Sequence, residues 1–344
     1  MAKILVVKYG FNDDSILTVP FLRNLRRAYP DARIDMLVQQ VAGEILEGCP
    51  YIDNFIHPGR KSKIGLTSFS KYVKELKKVG YHKVYVLDRS FVSTVLVYQA
   101  NIPERIGFKS IYSRFMFTNA VVYNKDKHEL ECFLDLLTAD NIPVEDNYLE
   151  NWINPKSSAK INDVFREYNI REIPKVLVQV TSHHKNNQWP LEYFAKVIEY
   201  LVNTRNIQVF YVGTSQEYSI YNEIHNLIKS RLKIKPVNLC GKISFQDNIA
   251  LIKRMDLAFG TNSGNLHIAA SLNVLVVGIY GPMSLKKWRV YGQGHTCFVD
   301  DLSCIPCDLQ KKCSLDFACL RNVSPDMVIP SLDAQLDRLA NYYK

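Results

Sequence analysis

No stretch of this 344-residue chain approaches the roughly 18 consecutive apolar residues that a membrane-spanning helix needs. The apolar stretch at its start (MAKILVVKYGFNDD) is too short for a signal peptide. Both absences predict a soluble, cytoplasmic protein. Also missing are an RNP box, a zinc-finger helix and a basic zipper, so nucleic acid is not an expected partner despite a net charge of +9. That charge instead points to an anionic membrane face or a phosphorylated substrate. Acids are scarce where bases gather: between Arg60 and Lys83 stand Arg60, Lys61, Lys63, Lys71, Lys74, Lys77, Lys78 and Lys83, against Glu75 alone. The run reads either as a solvated helix face or as a basic rim for an anionic acceptor and the lipid surface carrying it.

What the chain does have is apolar content of 47%, enough to bury about two domain cores at this length. Its pattern alternates. Strands are expected at Lys3 to Lys8, Arg33 to Val38, Ile52 to His57 and Lys83 to Leu87, with helices at Asp14 to Arg27, near Val41 to Leu46 and around Ser68 to Val79. Shorter elements run on to about Asp140. A polar stretch from Pro143 to Asn169 is the expected linker. The alternation then restarts with strands at Val176 to Val180 and Gln208 to Val212 and helices at Pro190 to Thr204 and Gln216 to Ile228. The predicted fold is therefore α/β, with two Rossmann-like parallel-sheet domains, residues 1–155 and 156–344, holding ligands in a cleft between them.

In such folds the loops after the strands carry the chemistry. The segment Asp256 to Met283 (DLAFGTNSGNLHIAASLNVLVVGIYGPM) reads as strand, turn, helix and second buried strand. A helix opened by Asn262, Ser263 and Gly264 offers free N–H groups to a diphosphate, and His267 stands one turn in. The plain alternative is that Ser263 and Asn262 only cap the helix. After the first strand, Gly10, Asp13 and Asp14 form a turn with two carboxylates, suited either to capping or to a general base. After Val180 come Thr181, Ser182, His183, His184, Lys185, Asn186 and Asn187, whose hydroxyls, imidazoles and ammonium suit a diphosphate. Trp189 and Pro190 read as packing and a helix start.

These residues carry a resemblance to glycosyltransferase family 9, the lipopolysaccharide heptosyltransferases, over nearly the whole chain. Asp13 to Pro20 (DDSILTVP) stands where the family has its Gly-Asp turn, and by that match Asp14 falls on the family's catalytic base. Asn187-Gln188-Trp189-Pro190 matches Lys-x-Trp-Pro, Gly213 to Glu217 matches the ribose-holding Gly-x-x-x-Glu, and Asn262 to His267 matches Asp-x-Gly-x-x-His. Tyr280-Gly281-Pro282 matches Phe-Gly-Pro. The resemblance implies a GT-B fold and an inverting transfer of a sugar, a heptose from ADP-heptose, to a lipopolysaccharide or lipooligosaccharide core. The donor contacts it implies are Thr181, Ser182, Lys185, Asn187, Glu217, Asn262, Ser263, Gly264 and His267. Arg60, Lys61 and Lys63 are the expected contacts to an anionic lipid-linked saccharide at the cytoplasmic face of the inner membrane, where the protein would be peripheral. No cofactor is implied for catalysis. Asn187 replaces the family lysine and Asn262 the family aspartate, which leaves open another donor sugar, a protein acceptor, or a relative that binds without transferring.

Eight cysteines complete the inventory. Cys304, Cys307, Cys313 and Cys319 form a C-x2-C-x5-C-x5-C cluster whose thiolates suit a structural zinc or iron, while Cys49, Cys132, Cys240 and Cys297 read as small buried hydrophobes.

Overall fold

The computed structural model describes residues 1–9, 14–58, 66–182, 185–309 and 312–342. The chain divides into two compact units, Met1–Trp152 and Ile153–Lys344. In the first, the strands β1 (Lys3–Lys8), β2 (Arg33–Val38), β3 (Asn54–Ile56), β4 (Lys83–Val86), β5 (Glu104–Phe108) and β6 (Asn119–Val121) form one sheet. The helices α1 (Val19–Ala28), α2 (Gln40–Ile45), α3 (Leu66–Val79) and α4 (Phe91–Gln99) connect them, and α5 (Glu129–Thr138) follows β6. Every pairing is parallel, in the order β3-β2-β1-β4-β5-β6. Such a sheet is covered on both faces, and so Ile4 to Val7 of β1 are all buried.

The second unit begins with α6 (Pro155–Glu167), then β7 (Lys175–Gln179), α7 (Leu191–Asn203), β8 (Gln208–Tyr211), α8 (Tyr218–Leu227), β9 (Val237–Asn238) and α9 (Phe245–Lys253). It continues with β10 (Leu257–Thr261), α10 (Gly264–Ser271), β11 (Leu275–Tyr280), α11 (Leu285–Trp288), β12 (Thr296–Val299), α12 (Ala318–Arg321) and α13 (Pro325–Tyr342). Its sheet is again all parallel, in the order β12-β11-β10-β7-β8-β9. Counted from its own first strand, each sheet has the same order, 3-2-1-4-5-6, of a doubly wound nucleotide-binding fold. In that order the connections change direction between strands 1 and 4. These switch points lie between β1 and β4 in the first unit and between β7 and β10 in the second.

Two sequence expectations need correction. The stretch read as a linker contains α6: Asn154 caps it by accepting from Lys156 N at 2.9 Å, Pro155 fits its first turn, and Ile161 and Val164 bury its inner face. The polar residues that looked like a linker are its solvated side. The basic run divides as well, since Lys71, Lys74, Lys77 and Lys78 are exposed along α3 while Lys83 pairs with Asp140 at 2.6 Å and Glu104 at 3.0 Å. Arg60, Lys61 and Lys63 lie outside the described residues, as do Gly10, Asp13, His183 and His184. Val328, Leu332 and Leu336 of α13 join the second unit's core, beside Trp189 and Phe194. Among the described residues no helix is long and apolar enough to cross a membrane.

Candidate active site

At the first unit's switch point, β1 ends at Lys8 and a 3-10 turn, Ser15–Thr18, starts directly after Asp14. Asp14 does not cap that turn with its side chain. Its Oδ1 instead lies 2.9 Å from Lys8 Nζ, and both side chains are buried, Asp14 at 7% exposure. Burial raises the Asp14 carboxyl above the usual carboxylate range. The Lys8 ammonium opposes that rise, and Glu129, buried at the start of α5, adds to it. A carboxylate stripped of water and made more basic, yet kept beside a cation, is equipped to accept a proton.

The neighbouring loop, after β4, fixes the surroundings. Asp88 accepts from Tyr9 N at 2.8 Å, from Ser93 Oγ at 3.0 Å and from Ser90 N at 3.0 Å, so it ties the end of β1 to the start of α4. Glu129 accepts from Tyr123 Oη at 2.5 Å, and His128 caps α5 by accepting from Leu130 N at 3.2 Å. The sequence singles out Asp14 as a candidate but not Lys8 or Glu129, which the structure sets beside it. The signal for Lys8 was a lysine closing an otherwise apolar, buried strand; Glu129 is far away in sequence and gave none.

The second switch point is built from amides and hydroxyls. Gln179 closes β7, and its Nε2 donates to Thr181 O at 2.8 Å and Thr181 Oγ1 at 3.0 Å. Asn265 of α10 donates to Gln179 Oε1 at 2.8 Å, and Asn248 of α9 donates to Asn265 Oδ1 at 2.8 Å. The loops after β7 and β10 are thereby locked to each other. Close approach of the two strands requires Gly260: it has φ +153°, and a Cβ there would stand 1.9 Å from Gln179 O.

Within this frame, polar groups are left over. Ser263 is the N-cap residue of α10 by position, but its Oγ makes no capping bond and is buried without a hydrogen-bond partner among the described residues. Asn187, 2% exposed, donates to Ser182 Oγ at 3.1 Å, and its Oδ1 likewise has no partner there. Buried polar atoms in that condition await a ligand or water. Gly264 opens α10 and His267 is buried one turn in, so the free N–H groups of a helix start meet the same loops. Asn262 is half-buried and spends its backbone N–H on Ile279 O at 3.0 Å. Lys185 begins the 3-10 turn Lys185–Asn187. Glu217, on the loop after β8 next door, holds Thr214 N at 2.5 Å and Thr214 Oγ1 at 2.8 Å through Oε2. It is thus partly engaged in a capping box. Trp189 is buried and its Nε1 donates to Val323 O at 2.8 Å, in keeping with the packing role expected of it.

The cysteine loop adjoins β11. Cys307 N and Asp308 N both donate to Pro282 O, at 3.1 and 3.0 Å. Cys319 is buried and its thiol is pushed up to about 11 by burial, with added contributions from Cys313, Cys307 and Cys304, so the four share one neighbourhood. They do not form a cage. Cys304 is exposed while Cys319 faces the core, and among the described residues no three His, Cys, Asp or Glu side chains gather as a metal site. The donor set suits a thiophilic metal, and the four thiols share one neighbourhood without closing on a common point among the described residues. Cys49, Cys132 and Cys240 are buried as expected, and Cys297 is half-buried.

Residues 69–318 match the family model described as glycosyltransferase family 9 (heptosyltransferase). A lipopolysaccharide heptosyltransferase 2 from Salmonella typhimurium is 23% identical over 292 residues, covering 82% of this chain and 83% of that one. Among solved structures, a glycosyltransferase family 9 protein from Veillonella parvula aligns with TM-score 0.83 and 19% identity, covering 98% of this chain and 97% of the other. The ADP-heptose lipopolysaccharide heptosyltransferase II of Escherichia coli aligns with TM-score 0.80 and 20% identity, covering 98% and 99%.

Proposed function

This chain belongs to glycosyltransferase family 9, with a GT-B fold, and from there we propose that it moves a heptose from ADP-heptose to a lipopolysaccharide or lipooligosaccharide core, with inversion at the anomeric carbon. The observation that carries this reading is the buried, base-strengthened Asp14 beside Lys8. Asp14 takes the proton of the acceptor hydroxyl as its oxygen bonds to the anomeric carbon; the bond from that carbon to the diphosphate breaks, and ADP leaves with the electron pair. Lys8 keeps Asp14 ionised until the proton arrives.

Donor binding is assigned to the second unit. The diphosphate takes the unsatisfied Ser263 hydroxyl and the N–H groups at the start of α10, with Thr181, Ser182, Lys185 and His267 around it. Fixed dipoles of this kind stabilise a leaving diphosphate without needing a metal ion. Glu217 contributes the oxygen outside its capping box to the ribose. We assign the acceptor's anionic groups to Arg60, Lys61 and Lys63, and place the protein peripherally at the cytoplasmic face of the inner membrane, where a lipid-linked core is met. Cys304, Cys307, Cys313 and Cys319 are assigned to a structural zinc or iron; metal analysis of the purified protein should find one equivalent, and none would leave the loop a metal-free brace.

One observation favours a second reading. Asn187 and Asn262 remove a positive and a negative charge from the donor loops, which fits a donor sugar other than the usual heptose. Calorimetry with ADP- and UDP-sugars, followed by transfer assays on a lipid A–core acceptor, separates the two. ADP-heptose should bind and react; transfer from another sugar only would replace the heptose assignment, and no nucleotide binding at all would sink both.

A further inference from the structure

The carboxyl ends of β4, β5 and β6 carry an exposed apolar surface. The loop after β5 is firmly built: Ser113 is buried, its Oγ donates to Phe108 O at 3.1 Å and accepts from Ser110 N at 2.6 Å, and Ser110 Oγ accepts from Ser113 N at 3.1 Å. On that scaffold the loop exposes the wrong residues for water. Ile111 is 90% exposed, Phe115 82% and Tyr112 63%. Phe91, at the start of α4, stacks edge-on against Tyr112 at 5.2 Å and is itself 54% exposed, and Val122 after β6 is 71% exposed. An apolar cluster held out by a pinned loop is the mark of a contact surface.

Its rim is basic. Arg89, Lys109 and Lys125 line a groove of about 530 Å³ together with Ser110, Val122 and Tyr123, and Arg114 lies against the Phe115 ring. None of these four cations pairs with a carboxylate among the described residues, and Arg89 rests on the Tyr123 ring, 4.0 Å from its centroid. Between Arg89 and Lys125 the sequence holds a single acid, Glu104, at the far end of β5, where it pairs with Lys83. Aromatic and aliphatic tips surrounded by unpaired cations match a bilayer interface with anionic headgroups: the tips enter the acyl boundary and the cations meet the phosphates.

We propose that Phe91, Ile111, Tyr112, Phe115 and Val122, ringed by Arg89, Lys109, Arg114 and Lys125, form the surface by which this protein docks on an anionic membrane. The proposal rests on the transferase reading only for why a membrane is visited. The docking itself needs neither donor nor acceptor.

Co-sedimentation of the full chain with vesicles of phosphatidylethanolamine and phosphatidylglycerol, against vesicles of phosphatidylcholine, tests it. The wild type should pellet with the anionic vesicles only, and less so at high salt. The double variant Ile111→Ser, Phe115→Ser should lose at least about tenfold in vesicle affinity, and each of Lys109→Gln and Lys125→Gln roughly fivefold, whereas Met327→Ser, an exposed apolar residue of the second unit, should lose nothing. Equal thermal melting of all variants keeps misfolding apart from lost docking. A wild type that ignores anionic vesicles, or a double variant that binds them unchanged, overturns the proposal. So does a concentration-dependent dimer that the double variant dissolves, because the surface then belongs to a second copy. Vesicle binding without heptose transfer keeps this surface and removes the functional reading; transfer to a water-soluble acceptor without vesicle binding does the reverse.

Discussion

The two sheets share one strand order and differ in what their switch points hold. At β1 and β4 the chain places charge: Lys8 and Asp14 paired and buried, Asp88 tying loops together, and Glu129 close enough to strengthen Asp14 as a base. At β7 and β10 it places neutral groups, the Gln179, Asn265 and Asn248 amides and the Ser263 hydroxyl, unpartnered among the described residues, around a helix start. Topology fixes where a ligand goes. The side chains after each strand decide whether that place moves a proton or receives an anion.

If the labour is divided in this way, variants at the first switch point must change the rate and its pH dependence, and variants at the second must change donor affinity. The largest effect is expected from Asp14→Asn, which should cut kcat by roughly 10² to 10⁴-fold while calorimetry finds ADP binding intact. Substantial residual transfer would break the comparison at its first term. Lys8→Met comes next. Burial raises the Asp14 carboxyl and Lys8 opposes that rise, so without Lys8 the carboxyl climbs further. Because the base works only when ionised, the acid limb of the kcat/KM profile should move to higher pH; an unmoved or lowered limb would show that Lys8 does not tune Asp14. Ser263→Ala should weaken ADP binding by roughly two- to tenfold with the pH profile unchanged. The smallest effect is expected from Asn262→Asp, a change of a few-fold in the ranking of donor sugars, read from competing donors in one transfer assay; an altered ADP affinity instead would put position 262 on the nucleotide rather than on the sugar.

Much of this architecture was legible because buried parallel strands are written as unbroken apolar runs. KILVVK, KVLVQ and LVVGIY announce themselves. The region from Phe91 to Thr138 was not resolved into elements, since β6 is three residues of half-buried NAV and helix α4 presents Phe91 and Val92 to solvent, which blurs its period. α6 was hidden by the polar side that faces water, even though Asn154 and Pro155 are ordinary helix-start residues. At the candidate site, Asp14, Ser263 and Gly264 could be singled out because they follow recognisable strands, in a loop or at a helix start. Their partners could not. The Lys8 pair closes across the turn, Glu129 comes from an element 115 positions later, and the amide chain from Asn248 through Asn265 to Gln179 joins three separate elements. Sequence order carries no record of such contacts. The exposed Ile111 to Phe115 loop was equally silent, because an apolar residue in sequence does not say which side of the surface it occupies.

The absent side chain at Gly260 sets a rule for anyone reshaping donor choice. With the carbonyl of Gln179 standing 1.9 Å from where a Cβ would be, that position tolerates no diversification, and every library member altered there is wasted. Two residues downstream, Asn262 is half-buried, so a position that admits no side chain and the position proposed to face the donor sugar stand two residues apart. A selection for new donors should hold the first constant and spend its diversity on the second.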